Sequence, residues 1–183
     1  MKFILASSSP RRSELIELLG IDYVIDPSDT EEVIDSAVSS IELVQKLALQ
    51  KAQDVSKRHP GNYVLGFDTL VVLDEQPLGK PKSEEDAKRM LRMLSGRKHL
   101  VLTGVAIVKD EYVDTFYDYA EVIFNRMTEE EIEFYVSSKE PMDKAGAYGI
   151  QGLGARYIRY IKGDYYSVMG MPVMKLYNKL KGL

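Results

Sequence analysis

Asp68 is the residue that most needs explaining. It lies in Leu65-Gly66-Phe67-Asp68-Thr69-Leu70-Val71-Val72-Leu73, a run that is otherwise mostly apolar. Apolar residues fall on both parities, the pattern of a strand buried on both faces. A carboxylate there loses hydration, which is tolerated when a cation, a metal or a set of donors meets it. The plain reading is an Asp hydrogen-bonded to nearby loop amides; the chemical reading is a carboxylate that serves a reaction. Four cationic side chains, Arg11, Arg12, Lys51 and Lys80, stand at loop ends or on an apolar helix seam. Together with Asp68, Glu31 and Glu32 they suit a polyphosphate held with a divalent metal ion.

The elements that must position these groups can be read in order. Phe3 to Ala6 is a short buried strand. Ser9 is a good N-cap and Pro10 a good first helical residue, so a helix runs from Pro10 to about Leu19 and stops at Gly20. Leu15, Ile16, Leu18 and Leu19 are its expected buried face. Arg11 and Arg12 fall in its first turn, the positive end of the helix dipole, where cations are disfavoured. A bound anion would offset this, meeting free N–H groups, the serine hydroxyls of Ser7-Ser8-Ser9 and two guanidiniums. Two solvated arginines are the alternative.

A strand over Ile21 to Ile25 leads into an acidic loop, Asp26 to Asp35. Ser39-Ser40-Ile41-Glu42 has capping-box spacing and opens a helix to about Lys57. Its apolar seam is Ile41, Val44, Ala48 and Val55, and Lys51 falls on that seam. Lys51 either snorkels to water or delivers its ammonium into a pocket. After the Asp68 strand, Asp74-Glu75-Gln76-Pro77 reads as a turn, and Gly79-Lys80 invites a phosphate-loop reading. That reading fails, because Asp74 stands where the loop's first glycine is required and Pro81 replaces Ser or Thr. Ser83 caps a helix carrying Ala87, Met90, Leu91 and Leu94 up to Gly96.

Leu100 to Val108 and Tyr112 to Phe124 form a hairpin, the second strand alternating through Val113, Thr115, Tyr117 and Tyr119. Thr128 caps a helix to about Ser138. Four glycines between Gly146 and Gly154 make a loop that lets the backbone approach a ligand. It can equally be an irregular connection. Arg156 to Ile161 and Tyr165 to Val168 are expected to form a last hairpin, and Pro172 to start a terminal helix.

Composition narrows the classes. The 183 residues suit one domain or two small lobes, and 45% are hydrophobic, enough for a core. A net charge of −4 argues against a nucleic-acid coat protein. There is no cysteine, so no thiolate nucleophile and no Cys-ligated zinc, and only two histidines, His59 and His99. No run suggests a signal peptide or a membrane span, so a cytoplasmic protein with neither nucleic-acid nor membrane partner is expected. A homodimer is left open.

Several motifs, in order, resemble the Maf family of nucleotide pyrophosphatases. They are Ser7-Ser8-Ser9-Pro10-Arg11-Arg12-Ser13-Glu14-Leu15, Gly66-Phe67-Asp68-Thr69, Gly79-Lys80-Pro81 and Thr103-Gly104. Glu140-Pro141-Met142-Asp143-Lys144-Ala145-Gly146-Ala147-Tyr148-Gly149-Ile150-Gln151-Gly152 and Gly163-Asp164-Tyr165-Tyr166-Ser167-Val168-Met169-Gly170-Met171-Pro172 complete the set. The resemblance implies an α/β fold like that of inosine triphosphate pyrophosphatases: an elongated, twisted mixed sheet flanked by helices, in a single domain with two lobes around a central cleft. It implies hydrolysis of a nucleoside triphosphate to the monophosphate and pyrophosphate with a divalent cation. By motif, Asp68 matches the general base. Ser8, Arg12, Lys51 and Lys80 match substrate-binding residues, and Glu32, with Asp68, the metal site. Arg11, Thr69 and Gln151 match the positions that separate a branch acting on dTTP and UTP from one preferring methylated GTP. All three look like the dTTP/UTP branch. Met171 departs from the more usual Leu, a volume-conserving change. Members have also been linked to inhibition of septum formation, so the competing expectation is a nucleotide-binding regulator without turnover.

Overall fold

The computed structural model describes residues 2–30 and 37–183. Glu31, Glu32 and the rest of the acidic loop's second half lie outside the described residues. Chain order gives β1 (Phe3–Ala6), α1 (Pro10–Glu17), β2 (Tyr23–Ile25), α2 (Ser40–Ser56), β3 (Tyr63–Leu73), β4 (Gln76–Leu78), α3 (Glu84–Leu94), β5 (Lys98–Lys109), β6 (Tyr112–Phe124), α4 (Glu129–Ser137), β7 (Ile158–Gly163), α5 (Tyr165–Met169) and α6 (Val173–Leu180). Among the described residues seven strands form one mixed sheet in the order β2-β1-β3-β5-β6-β7, with β4 paired to β3. Short 3-10 turns fill the chain between α4 and β7. The fold is mixed α/β, with helices flanking the sheet. No helix among the described residues is long and apolar enough to cross a membrane.

The chain divides into two compact units. The first comprises Met1–Thr69, Leu102–Asp118 and Tyr166–Leu183; the second, Leu70–Val101 and Tyr119–Tyr165.

In the first unit, β1 pairs in parallel with β2 and with β3. Both flanking connections contain a helix, as parallel pairing demands. The core between α2 and the sheet is built from alanines and β-branched residues: Ile4, Ala6, Ala48, Ala52, Val55, Val64, Ala106 and Val108. Small side chains bring the helix close to the strands, and Gly66 marks the tightest point. A Cβ there would stand 2.8 Å from the Ala52 Cβ and would overlap the Ala48 carbonyl. Gly104, on β5, plays the same part beneath Val44 and Gln45.

In the second unit, the helix α3 buries Ala87, Met90, Leu91 and Leu94, as its periodicity requires, and Ser83 Oγ accepts from the Asp86 N–H. The capping box of α4 is complete, Thr128 and Glu131 each accepting from the other's N–H. His99 is buried at 3% exposure, packed edge-to-face against Phe124 and Tyr148. Its Nε2 lies 2.7 Å from the Tyr148 hydroxyl, and its Nδ1 has no hydrogen-bond partner among the described residues. Burial holds this imidazole neutral, lowering its pKa from 6.5 to about 4. The unfolded chain therefore takes up a proton that the folded chain refuses. Stability should fall as pH drops from 6.5 towards 4, His99 accounting for about 3 kcal/mol of it. His99→Gln keeps a polar partner for Tyr148 and does not titrate. Denaturant unfolding of both forms between pH 4 and 7.5 should show a shallower slope for the variant. Parallel slopes would remove His99 from the acid response.

Four local expectations need correction. Leu18 is 60% exposed, because α1 ends at Glu17 and only Leu15, Ile16 and Leu19 turn inward. Ile41 is exposed, since the buried face of α2 runs through Leu43, Val44, Leu47, Ala48, Ala52 and Val55. Gln76-Pro77-Leu78 is a strand antiparallel to β3, with the turn confined to Asp74 and Glu75 at positive φ; Pro77 is tolerated because β4 lies off the main strand order. Finally, Tyr165–Met169 is a helix rather than a strand. Gly163 at φ +126 ends β7, and the Gly170 N–H closes the turn onto the Tyr166 and Ser167 carbonyls, overriding the strand preference of Tyr-Tyr-Ser-Val.

Candidate active site

The strand β3 sends successive side chains to opposite faces. Gly66 and Asp68 share the face covered by α2. Because α2 sits so close at Gly66, Lys51, one turn after Ala48, reaches the strand. Its Nζ lies 2.6 Å from Asp68 Oδ1, with the two side chains only 17% and 10% exposed. Of the two sequence readings of Lys51, the one in which its ammonium turns inward is the one the structure takes. The Asp68 carboxylate meets a cation and not merely loop amides, so its place in a buried strand is compensated.

Phe67 and Thr69 share the other face, and there α1 supplies Arg12. The guanidinium lies over the Phe67 ring, 5.6 Å from its centroid. Its Nε donates to the Gly170 carbonyl at 2.9 Å, its Nη1 to Ser7 Oγ at 3.2 Å and its Nη2 to Thr69 Oγ1 at 3.2 Å. Gly170 has φ +110, and a Cβ there would crowd both Arg12 Nε and Thr69 Oγ1 at 3.3 Å. Only glycine allows the carbonyl to be presented this way. Ser9 occupies the N-cap position of α1, but its side chain makes no capping bond; Ser7 Oγ instead accepts from the Ser9 N–H. Ser8 is exposed and Arg11 half-buried on the same turn.

Asp68, Thr69, Lys51 and Arg12 thus gather around one stretch of β3 in the first unit. Lys80 and Gln151 belong to the second. Lys80 is exposed in the bend after β4, and the carbonyl of its neighbour Gly79 accepts from the Gly146 N–H at 3.0 Å. The lysine turn and the glycine-rich segment are therefore tied together. Gln151 is exposed, on a short arc pinned at both ends. The Gly149 N–H donates to Tyr135 Oη at 3.0 Å; the Leu153 and Gly154 N–H groups donate to Glu140 at 2.8 and 3.0 Å; and Tyr135 Oη donates to Glu140 Oε1 at 2.9 Å. Burial alone would raise the Glu140 carboxyl, but these amide donors, the Tyr135 hydroxyl and the Lys144 charge outweigh it and hold the pKa below the usual range. Gly152, at φ +69, is required because a Cβ would run into the Glu140 carboxylate. Reading the sequence missed Tyr135 and Glu140. Glu140 was quoted as part of a motif, but no spacing rule couples a helix tyrosine to a loop three turns of chain away.

Among the described residues no three His, Asp or Glu side chains gather to hold a metal. Asp68 is a hard oxygen donor standing beside an ammonium. That donor set fits an ion held by one or two carboxylates and by a substrate's own phosphate oxygens, the habit of magnesium, and not an ion caged by protein alone.

The family described as Maf-like protein matches residues 2–183. A dTTP/UTP pyrophosphatase of Bacillus mycoides is 53% identical over 180 residues, covering 98% of this chain and 94% of the relative. The dTTP/UTP pyrophosphatase of Bacillus cytotoxicus is 51% identical over the same length, with coverage of 98% and 94%. Among solved structures, the Staphylococcus aureus Ham1 protein superposes with a TM-score of 0.52 at 17% identity, covering 87% of this chain and 81% of that one. That last likeness is one of fold alone.

Proposed function

The chain belongs to the Maf family, and from that premise we propose a chemical account of its activity. It is a nucleoside triphosphate pyrophosphatase that hydrolyses dTTP and UTP to the monophosphate and pyrophosphate. The observation that carries the account is the 2.6 Å Lys51–Asp68 pair on one face of β3, with Arg12 fixed to Thr69 on the next residue.

Pyrophosphate release demands that a triphosphate's charge be neutralised, that water be oriented and that charge growing on the leaving pyrophosphate be stabilised. Arg12 presents a planar guanidinium held rigid by three acceptors, so little freedom remains to be lost on meeting phosphate. Lys51 and Lys80 add point charges, and Ser8 and Arg11 border the same helix start. Asp68 accepts the proton of the attacking water or aligns that water, its carboxylate oriented by Lys51. A magnesium or manganese ion bound by Asp68 and Glu32 would lower the pKa of water and spread phosphate charge. The reaction belongs in the cytoplasm, where nucleoside triphosphates are made and where a chain without cysteine is at no disadvantage.

The base is read, in this account, by Gln151. Thymine and uracil offer a carbonyl and an imide N–H, and an amide side chain satisfies both. Glu at this position is acceptor-only and suits a donor-rich edge. Gln151→Glu should lower kcat/KM for dTTP and UTP by more than tenfold relative to GTP, since an unpaired hydrogen-bonding group in a site discriminates strongly, while the melting temperature stays put because Gln151 is exposed. The measurement is pyrophosphate release with product identification on dTTP, UTP, CTP, GTP and ATP. A flat profile in the parent, or orthophosphate as first product, would overturn the assignment of substrate or reaction. An unchanged profile in the variant would remove Gln151 from base reading.

A further inference from the structure

Thr103, on β5, is wholly buried. Its Oγ1 donates to the Ser167 carbonyl at 2.7 Å and lies 2.9 Å from Thr69 Oγ1. A hydroxyl has one proton. The carbonyl can only accept, so the Thr103 proton is committed there. Thr69 must then donate its own proton to Thr103. Arg12 Nη2 can only donate, so Thr69 accepts from it at 3.2 Å. The direction of the whole chain is thereby fixed: Arg12 to Thr69, Thr69 to Thr103, Thr103 to the Ser167 carbonyl.

Two consequences follow for the site. Thr69 has no proton left for a ligand, so towards a phosphate oxygen, itself an acceptor, it has nothing to offer; its evident use is to receive Arg12. Arg12 is also bound twice to one short segment, directly through the Gly170 carbonyl and indirectly through Thr69, Thr103 and the Ser167 carbonyl. We infer that Thr103 is a positioning residue for the reaction: by orienting the Thr69 hydroxyl as an acceptor, it holds the Arg12 guanidinium in the attitude that meets the triphosphate. This rests on Arg12 acting as a phosphate ligand.

The decisive experiment is a double-mutant cycle read as kcat and KM for UTP, with thermal unfolding of each variant. Thr103→Val removes the hydroxyl at nearly constant volume. Thr69 then loses the acceptor that fixed its proton, so its hydroxyl is free to rotate and no longer holds a lone pair on Arg12. We expect kcat/KM to fall about tenfold, of the order of one misdirected hydrogen bond, and Thr103→Ser, which keeps the hydroxyl, to restore it to within about threefold. In an Arg12→Ala background, Thr103→Val should cause no further loss. If Val proves too disruptive to fold, Thr103→Cys, a weak donor of similar size, takes its place in the cycle. Full activity in the Thr103 variant, failure of Ser to rescue, or an undiminished loss without Arg12 would each overturn the inference while leaving Arg12's role intact. An Arg12→Ala enzyme with unchanged kcat/KM would overturn both.

Discussion

Asp68→Asn is expected to lower kcat roughly 10²-fold or more, the usual contribution of a positioned general base, while the protein stays folded. The exchange is nearly isosteric. It removes the charge that faces Lys51 at 2.6 Å and the acceptor that a water proton would use. The amide can still accept from the Lys51 ammonium, so one hydrogen bond survives and the strand is not left with an empty place. The lost charge leaves Lys51 partly uncompensated, but at 17% exposure its side chain keeps some access to water, which limits the penalty. Activity should therefore collapse with a change in melting temperature of only a few degrees. The check is kcat under saturating UTP, set beside circular dichroism and thermal unfolding. A folded variant with near-normal kcat would take Asp68 out of the mechanism and leave Lys51 as its structural partner alone.

Gly66→Ala is expected to be strongly destabilising. The added Cβ would lie 2.8 Å from both the Ala52 Cβ and its backbone nitrogen, and would overlap the Ala48 carbonyl. Two of those three groups are helix backbone, which cannot swing aside as a long side chain can. Either α2 lifts from the sheet or β3 bends. Overpacking of this kind costs about 1–3 kcal/mol and sometimes more; with the obstacle being backbone, the upper end applies. In a chain of this size that is a fall in melting temperature of roughly 6–12 °C. The folded remainder should also be a poorer enzyme, because the approach that Gly66 permits is the one that brings Lys51 to Asp68. An unchanged melting temperature would show that α2 can shift freely, and the Lys51–Asp68 distance would then not be set by that glycine.

The parts legible in the sequence are those governed by local rules. Ser39, Ser83 and Thr128 announce their helices because each side chain accepts from a nearby N–H within one turn. The apolar parity of β3 betrays burial on both faces. Asp68 and Arg12 draw notice because each offends a local rule, a charge in a strand interior and a cation at a helix start. What local rules cannot supply is the partner. Lys51 is equally at home in water or against a carboxylate until the approach of α2 is known. Thr103 looks like any β-branched strand residue; its role depends on Ser167, distant in sequence, and on the order in which three donors must share their protons. Tyr165 to Val168 were misread for the same reason: strand propensity is weak beside a glycine on either side that turns the backbone. Glu32, grouped with Asp68 as a metal-binding carboxylate, lies outside the described residues.

The hydrogen bond from Arg12 to the Gly170 carbonyl joins residues 158 positions apart. A contact of that span carries a cost in time. Closing so long a loop is slow relative to forming helices, and chains rich in such contacts fold slowly. During synthesis the helix bearing Arg12 emerges almost at once, yet its guanidinium has no carbonyl to grasp until residue 170 has been made. The β1–β2 pair and α2 can assemble early on their own local contacts, but the Arg12 end of α1 must wait for its carbonyl. The guanidinium is therefore fixed in place only in the last stage of folding, after both ends of the chain have met.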